Sequence, residues 1–322
     1  MCEEGKWGKE NNNKKFRRCD GIFYFYFCDN ISNMPELPEV QTIANDLEKK
    51  IVGKTIIGFW SDYKKAVRPS FAKFRRGVTG RKIIGIERYG KMLVLNLSAG
   101  RYGLGGDYSI VIHLKMIGHL LFKELGRETS KFFEEKINQY IHHIIYFKNG
   151  DTLAVSDLRK FAWLRLAETT KVGKMKEIVS LGIDALGADL SFKRFEKLLE
   201  KRQNSKIGTA LLDQKWLAGV GNIYRSEILF EAKLHPERII KRLTVGERKK
   251  LHQALRTILK KAVKMRGTST IDYRDTAGKK GRFQNALRAY GREGEKCLKC
   301  GTKIEKIKLA QRSVFFCPKC QK

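Results

Sequence analysis

Residues 34–51 read MPELPEVQTIANDLEKKI. Val40, Ile43, Ala44, Leu47 and Ile51 recur at the spacing of one helical face, while Gln41, Asp46, Glu48 and Lys49 fall elsewhere. Gly53 is a natural stop. This stretch therefore predicts an amphipathic helix entered directly from Met-Pro-Glu. It also poses a chemical question. Inside a chain the nitrogen of Pro35 is an inert amide, whereas at the start of a chain it is a secondary amine and a nucleophile.

Upstream of the helix the pattern changes. Residues 1–33 hold an asparagine run, mixed charge and the aromatic clump GIFYFYFC at 21–28, without a helical period, and read as an extension. That clump is far shorter than the roughly 18 apolar residues of a membrane span. It also lacks the small-residue cleavage pattern of a signal peptide. A soluble, intracellular protein is expected, with no membrane partner.

Downstream come eight short runs rich in Ile, Val, Phe or Tyr: 54–60, 81–88, 91–97, 109–115, 119–125, 140–147, 152–157 and 161–167. Gly turns such as Tyr89-Gly90 and Asn149-Gly150 punctuate them. Eight strands in succession predict a β-sandwich or barrel. Near residue 168 the period becomes helical, at 191–202, 226–232 and 246–265, and the Gly- and Lys-rich DTAGKKGRF at 275–283 follows. The expected class is α+β: an N-terminal helix on an eight-stranded sandwich, a helical domain, and a small metal-bound module. The expected units are 1–33, 34–168, 169–285 and 286–322.

The module is CLKCGTKIEKIKLAQRSVFFCPKC, a C-x2-C-x16-C-x2-C pattern formed by Cys297, Cys300, Cys317 and Cys320. Two close thiolate pairs give four soft ligands for one zinc ion. Four thiolates leave no coordination position for water, so the expected role is structural. Cys2, Cys19 and Cys28 stand apart and look unrelated to this cluster. The chain carries 66 Lys and Arg against 34 Asp and Glu, a net charge of +32. An excess of that size spread over the whole chain favours a polyanionic partner, most simply nucleic acid. AGVGNIY at 218–224 places glycines before a helix, a pattern that can cradle a phosphate on backbone N–H groups or be an ordinary turn.

MPELPEV at 34–40, YGKMLVLNL at 89–97, HLKMIGHL at 113–120, DLRKFAW at 157–163, LLDQKWLAGVGNIYRSEILF at 211–230 and AQRSVFFCPKCQK at 310–322 together resemble the formamidopyrimidine-DNA glycosylase family, in order and over all but the first 33 residues. The resemblance implies a β-sandwich, a helix–two-turn–helix domain and a zinc finger. It implies removal of 8-oxoguanine and ring-opened purines from damaged double-stranded DNA, followed by strand cleavage at the abasic site. By the same resemblance Pro35 is the nucleophile and Glu36 the proton donor. Lys91 assists at the phosphate and in β-elimination, and Arg312 assists in δ-elimination. Met116, Arg159 and Phe161 match the side chains that fill the gap left by an extruded base, although Met116 and Phe161 taken alone would read as core of β-runs.

Other expected DNA contacts are Tyr140, His142, Lys206 and Asn222. Tyr140 stands where some relatives have a phosphate-contacting His, with His142 two positions on. Gly208 stands where a lysine is common, with Lys206 close by, and DLRKF replaces the common D-P-R-R-F. The lesion-covering loop, about 267–285, varies widely in the family. Leu37 stands where the endonuclease VIII branch usually has Gly, which favours purine over pyrimidine lesions. The resemblance further implies a cytoplasmic bacterial protein held on the nucleoid by DNA, expected to act as a monomer with one structural zinc. The working protein is expected to start at Met34, with Met34 removed to expose Pro35. The alternative readings are a non-catalytic zinc-ribbon DNA binder in which the extension blocks Pro35, and an oxidised-pyrimidine glycosylase of the endonuclease VIII type.

Overall fold

The structure is a computed structural model that describes residues 34–100, 106–126 and 131–322, and ahead of these the backbone of three strands. Those strands, Glu3–Lys6, Lys14–Cys19 and Ile22–Phe27, form an antiparallel sheet of their own. The side chains of Cys2, Cys19 and Cys28 lie outside the described residues.

Helix α1 runs Leu37–Ile51 and buries the predicted face against the sandwich. Its Glu39 carboxylate accepts a hydrogen bond from the backbone N–H of Glu36 at 2.9 Å, which satisfies one donor that the helix start would leave open. Gly53 follows with φ 87°, a left-handed stop that glycine adopts without strain.

All eight predicted strands form. They are β1 Ile56–Ser61, β3 Ile83–Tyr89, β4 Met92–Leu97, β5 Tyr108–His113, β6 His119–Lys123, β7 Ile141–Phe147, β8 Thr152–Ser156 and β9 Trp163–Glu168. A two-residue strand, β2 Val67–Arg68, lies parallel to β9 and has no counterpart in the sequence reading. One sheet has the order β1-β7-β8-β6 and the other β2-β9-β5-β4-β3. Their inner faces enclose the sandwich core with Val40, Ile43, Leu47 and Ile51 of α1. A second helix, α2 Phe71–Val78, also went unpredicted. It seats only Phe74, Gly77 and Val78, but its N-cap Ser70 accepts from the Lys73 N–H and is the signal that could have revealed it.

The helical domain contributes α3 Phe192–Glu200, α4 Asn222–Glu231 and α5 Val245–Lys264. Helix α4 begins four residues before the predicted run, because the Gly219–Gly221 turn feeds straight into it. A hairpin, β10 Glu305–Leu309 and β11 Arg312–Phe316, completes the chain and packs Leu309, Val314 and Phe315 into the helical domain's core. Among the described residues no helix is long and apolar enough to cross a membrane.

The two cores exchange side chains. Leu37, the first residue of α1, belongs to the helical core, while Tyr273 of the 267–285 loop belongs to the sandwich core. Arg266, just past α5, bridges Asp46 on α1 and Asp275 in the loop at 2.5 and 2.7 Å. Lys50 Nζ donates to Thr276 Oγ1 at 2.8 Å, and that hydroxyl donates to Asp46 Oδ2 at 2.8 Å. Asp275 is buried, so removing its cation leaves a charge that water cannot reach. Arg266→Ala is expected to cost about 2–3 kcal/mol. A thermal melt should show the midpoint falling by about 5–10 °C, and an unchanged midpoint would remove Arg266 from the account of domain docking.

Candidate active site

Glu36 is buried, and its carboxylate lies at the N-terminus of α4. Oε2 accepts from the backbone N–H groups of Gly221 at 2.8 Å and Tyr224 at 3.4 Å, and Oε1 accepts from that of Ile223 at 2.9 Å. The open donors and the dipole of a helix start suit an anion. This corrects one sequence expectation. The N–H groups after AGVG do not stand free for a phosphate; they are spent on a side chain of the first helix. The reason is energetic, since a buried carboxylate without donors is far costlier than an exposed one.

The fit requires glycine. A Cβ on Gly221 would lie 2.2 Å from Glu36 Cδ, and a Cβ on Gly219, whose φ is +104°, would lie 2.7 Å from Leu37 Cβ.

Burial raises the Glu36 carboxyl above the ordinary carboxylate range, and the Lys91 charge and the three N–H groups only partly oppose it. Burial lowers Lys91, opposed by Glu36 and Glu39 and reinforced by Arg312. Burial thus shifts the acid toward holding its proton and the neighbouring amine toward releasing one, an arrangement for proton transfer. Glu39 is a second buried carboxyl, pushed to about 7 by burial and by the charge of Glu36. It accepts from Tyr224 Oη at 2.5 Å and from the Thr268 N–H at 2.7 Å, which ties α1 to α4 and to the 267–285 loop. Sequence reading assigned it no role.

Lys91 sits in the two-residue turn between β3 and β4, and Arg312 follows the Ala310-Gln311 turn of the zinc hairpin. Ala310 and Gln311 have φ of 48° and 61°, left-handed values that cost a non-glycine residue roughly 1 kcal/mol or more each. The strained turn delivers Arg312 to a cavity of about 170 Å³ shared with Met34, Glu36, Lys91, Gln214 and Asn222. Pro35 lines an adjoining cavity with Glu39 and the loop, and Met34 lines both. The four residues expected to be catalytic thus converge on Met34.

Met116, Arg159 and Phe161 also come together. Arg159 Nη1 donates to Met116 Sδ at 3.3 Å, and the guanidinium lies 4.6 Å from the Phe161 ring centre. Neither Met116 nor Phe161 lies within a strand. Met116 is on the turn between β5 and β6, and Phe161, ahead of β9, is 48% exposed. Buried Asp157 shapes the second turn by accepting from the N–H groups of Arg159, Phe161 and Ala162 at 3.1, 2.7 and 2.7 Å.

The remaining expected contacts are scattered. Tyr140 is half-buried ahead of β7. His142 points inward, with Nδ1 2.9 Å from Asp62 Oδ1 and Nε2 buried without a partner. Lys206 is exposed and paired to Glu237 at 2.6 Å. Asn222 lines the Glu36 cavity and accepts from Arg225 Nη2 at 2.5 Å. Gly208 leaves no room for the lysine common in relatives, since its Cβ would lie 2.7 Å from the Pro236 carbonyl oxygen.

The sulfurs of Cys297, Cys300, Cys317 and Cys320 all lie within 4.8 Å of one another. Tetrahedral thiolates ~2.3 Å from zinc stand ~3.8 Å apart, so the set fits the ion. The N–H groups of Lys299 and Cys320 point at Cys297 and Cys317 sulfurs, each at 3.4 Å, as donors to thiolate charge.

Comparison with known proteins defines the class as a DNA glycosylase of base excision repair with a zinc finger. Residues 34–164 match the formamidopyrimidine-DNA glycosylase N-terminal domain, 181–274 its H2TH domain, and 294–322 the zinc finger found in FPG and IleRS. The formamidopyrimidine-DNA glycosylase of Heliobacterium modesticaldum is 39% identical over 90% of this chain and 100% of its own length. That of Pelotomaculum thermopropionicum is 36% identical over 90% and 99%. The Lactococcus lactis Fpg in complex with DNA containing an abasic site superposes with a TM-score of 0.75 at 36% identity, over 89% of this chain and 99% of that one. The chain belongs to the formamidopyrimidine-DNA glycosylase family.

Two outcomes follow from this geometry. Gly221→Ala should fold but push the Glu36 carboxylate aside. Displacing a reacting group by about 1 Å costs roughly 100-fold, so single-turnover base excision should fall by about that factor, and a rate within threefold of the unmutated one would contradict the packing. Cys317→Ser should lose zinc and, with it, the aim of Arg312. Metal analysis and DNA titration should show both zinc and affinity reduced together, whereas full affinity without zinc would separate the finger from DNA.

Proposed function

We propose that this chain is a bifunctional enzyme that excises oxidised purines, 8-oxoguanine and formamidopyrimidines, from double-stranded DNA and then nicks the abasic site by β,δ-elimination. The observation that carries this reading is the convergence of Pro35, Glu36, Lys91 and Arg312 on the two cavities that Met34 lines. Residues 34–168 supply the acid and the lysine, 169–285 the helix–two-turn–helix and the loop, and 286–322 the arginine on a finger holding one zinc. A solved relative contains MutM with carbocyclic 8-oxo-G DNA, and another contains the Lactococcus lactis enzyme with an N7-benzyl-Fapy-dG lesion.

Base removal begins with attack of the Pro35 nitrogen on the sugar C1′. The C1′–N9 bond breaks, its electron pair leaves with the base, which takes up the proton shed by the proline nitrogen, and Glu36 gives its proton to the sugar ring oxygen as the ring opens. The iminium joining Pro35 to C1′ acidifies the C2′ proton. Lys91 is placed to help as that proton is lost and the 3′-phosphate departs. Arg312 assists as the second phosphate departs. Zinc holds the hairpin and takes no part in these steps. An α-amino group with a pKa near ~8 has a usable neutral fraction at cellular pH.

The nitrogen is an amine only when Met34 is gone. Residues 1–33 therefore belong to a form that binds DNA without attacking it, and Met34 removal creates the nucleophile. The N-terminal family match begins at residue 34. Met116, Arg159 and Phe161, a flexible thioether, a planar cation and a ring, suit insertion into the stack that an extruded base leaves. Tyr140, Lys206 and Asn222 are proposed to meet the backbone around it. His142 would first have to turn outward.

Glu36→Gln tests the assignment. It keeps the amine and removes the transferable proton, so 8-oxoguanine excision should fall at least ~100-fold. Borohydride should still trap the variant on preformed abasic DNA, where the sugar is already open. Excision at the unmutated rate would reduce Glu36 to a helix cap.

A further inference from the structure

One buried cation has no part in the proposed chemistry. Arg225 lies in the first turn of α4 and is fully buried. Three circumstances disfavour a cation there. The N-terminal end of a helix carries partial positive charge. A buried charge without a partner ion is costly, and among the described residues this guanidinium bonds only to neutral oxygens. Its Nε is buried with no acceptor at all. Local preference therefore opposes arginine at this position, and a residue kept against such preference points to a functional demand.

The demand is visible in what the guanidinium holds. Nη2 donates to Asn222 Oδ1 at 2.5 Å and to the Ser313 carbonyl oxygen at 2.8 Å, and Nη1 donates to the Gly208 carbonyl oxygen at 3.2 Å. Ser313 follows Arg312 on β11, directly after the left-handed Ala310-Gln311 turn. The next residue of α4 adds a second grip, because Ser226 Oγ accepts from the Phe315 N–H at 3.4 Å. Helix α4 thus seizes the hairpin one residue past Arg312. The same Nη2 occupies the carbonyl side of the Asn222 amide, which leaves Asn222 its NH2 donors to present. Arg312 and Asn222 both line the 170 Å³ cavity, so one fully buried side chain links the two. Burial lowers the Arg225 guanidinium to about 10, opposed by the charge of Glu36 and reinforced by that of Arg312, and it stays charged at neutral pH.

We infer that Arg225 is a positioning residue for the second elimination, holding Arg312 at the phosphate that leaves last. This rests on the proposed function and deepens it. In that step a proton leaves C4′ and the C5′–O bond breaks, with its electron pair going to the departing phosphate. The charge growing on that oxygen has to find its donor already in place. Arg312 is exposed on a tight turn, so its reach depends on how firmly the backbone beside it is held. A planar guanidinium suits that task, since it offers donors in a fixed fork to acceptors on different segments, whereas an ammonium is a point charge on a flexible stem. The first elimination relies on Lys91, in the turn between β3 and β4, to which Arg225 makes no bond. Loss of Arg225 should therefore separate the two eliminations.

The test is a product ratio on duplex DNA carrying a preformed abasic site. After a single turnover, denaturing electrophoresis separates strands that end in the unsaturated sugar, which have undergone one elimination, from strands that end in phosphate, which have undergone both. The ratio is taken among cut strands, so a smaller folded fraction or a weaker affinity does not move it. Arg225→Met, unbranched and uncharged, should lower the share of doubly eliminated strands relative to singly eliminated ones by about 10-fold, as expected for a donor displaced by a fraction of an ångström. Arg225→Lys keeps the charge without the fork and should still lower it by about threefold or more. A ratio equal to the unmutated one in Arg225→Met overturns the role of Arg225. Should that variant yield no cut strands, Arg225→Lys decides, and an unmutated ratio there overturns it equally. An unmutated enzyme that borohydride traps but that makes only singly eliminated strands overturns the part given to Arg312 and this inference with it. No trapping at all overturns the proposed lyase.

Discussion

The architecture turns on one carboxylate buried between two domains. Glu36 leaves the sandwich's first helix and ends on the N-terminus of α4, where three backbone N–H groups receive it. Each domain is incomplete without the other. The helical domain would have open donors at its central helix, and the sandwich would expose an acid with nowhere to go. The same burial that enforces docking raises the proton affinity of Glu36. Structure and chemistry thus use a single desolvation. A surface acid at this position would dissociate in the ordinary range.

Around this contact the cores interlock. Leu37 enters the helical core one residue after Glu36, and Tyr273 enters the sandwich core from the opposite side. Tyr224 Oη lies 2.5 Å from Glu39 Oε1 and 2.9 Å from Thr268 Oγ1, so the loop over Pro35 is bonded into the same network as the acid. A change in how the domains meet is therefore felt at Glu36, Pro35 and the 267–285 loop together. Rigid placement of this kind is what a nucleophile needs when its target must arrive within bonding distance.

What the sequence made legible was local. The strands could be read because short Ile- and Val-rich runs end at glycine turns, and α1 because its apolar face is continuous. The four cysteines could be read because ligand spacing is set by the ion. Helix α2 escaped because only Phe74 and Val78 mark its apolar face, and β2 because two residues carry no period. The catalytic set was reachable only through motifs spread over 278 positions, from Pro35 to Arg312. No local pattern joins a turn lysine to a hairpin arginine. Sequence reading left AGVG between a phosphate cradle and an ordinary turn because it could not show that a carboxylate 185 residues away fills it. Glu39 and Asp157 were invisible for the same reason: their partners lie across domain or turn boundaries.

Asp157 shows what such placement would mean under the proposed function, in which the protein inspects long stretches of intact duplex. One carboxylate clamps the backbone donors of Arg159, Phe161 and Ala162 and leaves Phe161 standing proud with Arg159 against it. If this edge probes DNA as proposed, it is formed before DNA arrives, and little ordering entropy remains to be lost at each encounter. The resistance met during scanning then comes from the nucleic acid alone. A well-stacked pair repels a rigid edge, whereas a step already weakened by damage yields to it. Stiffness in the protein turns differences in duplex deformability into differences in dwell time.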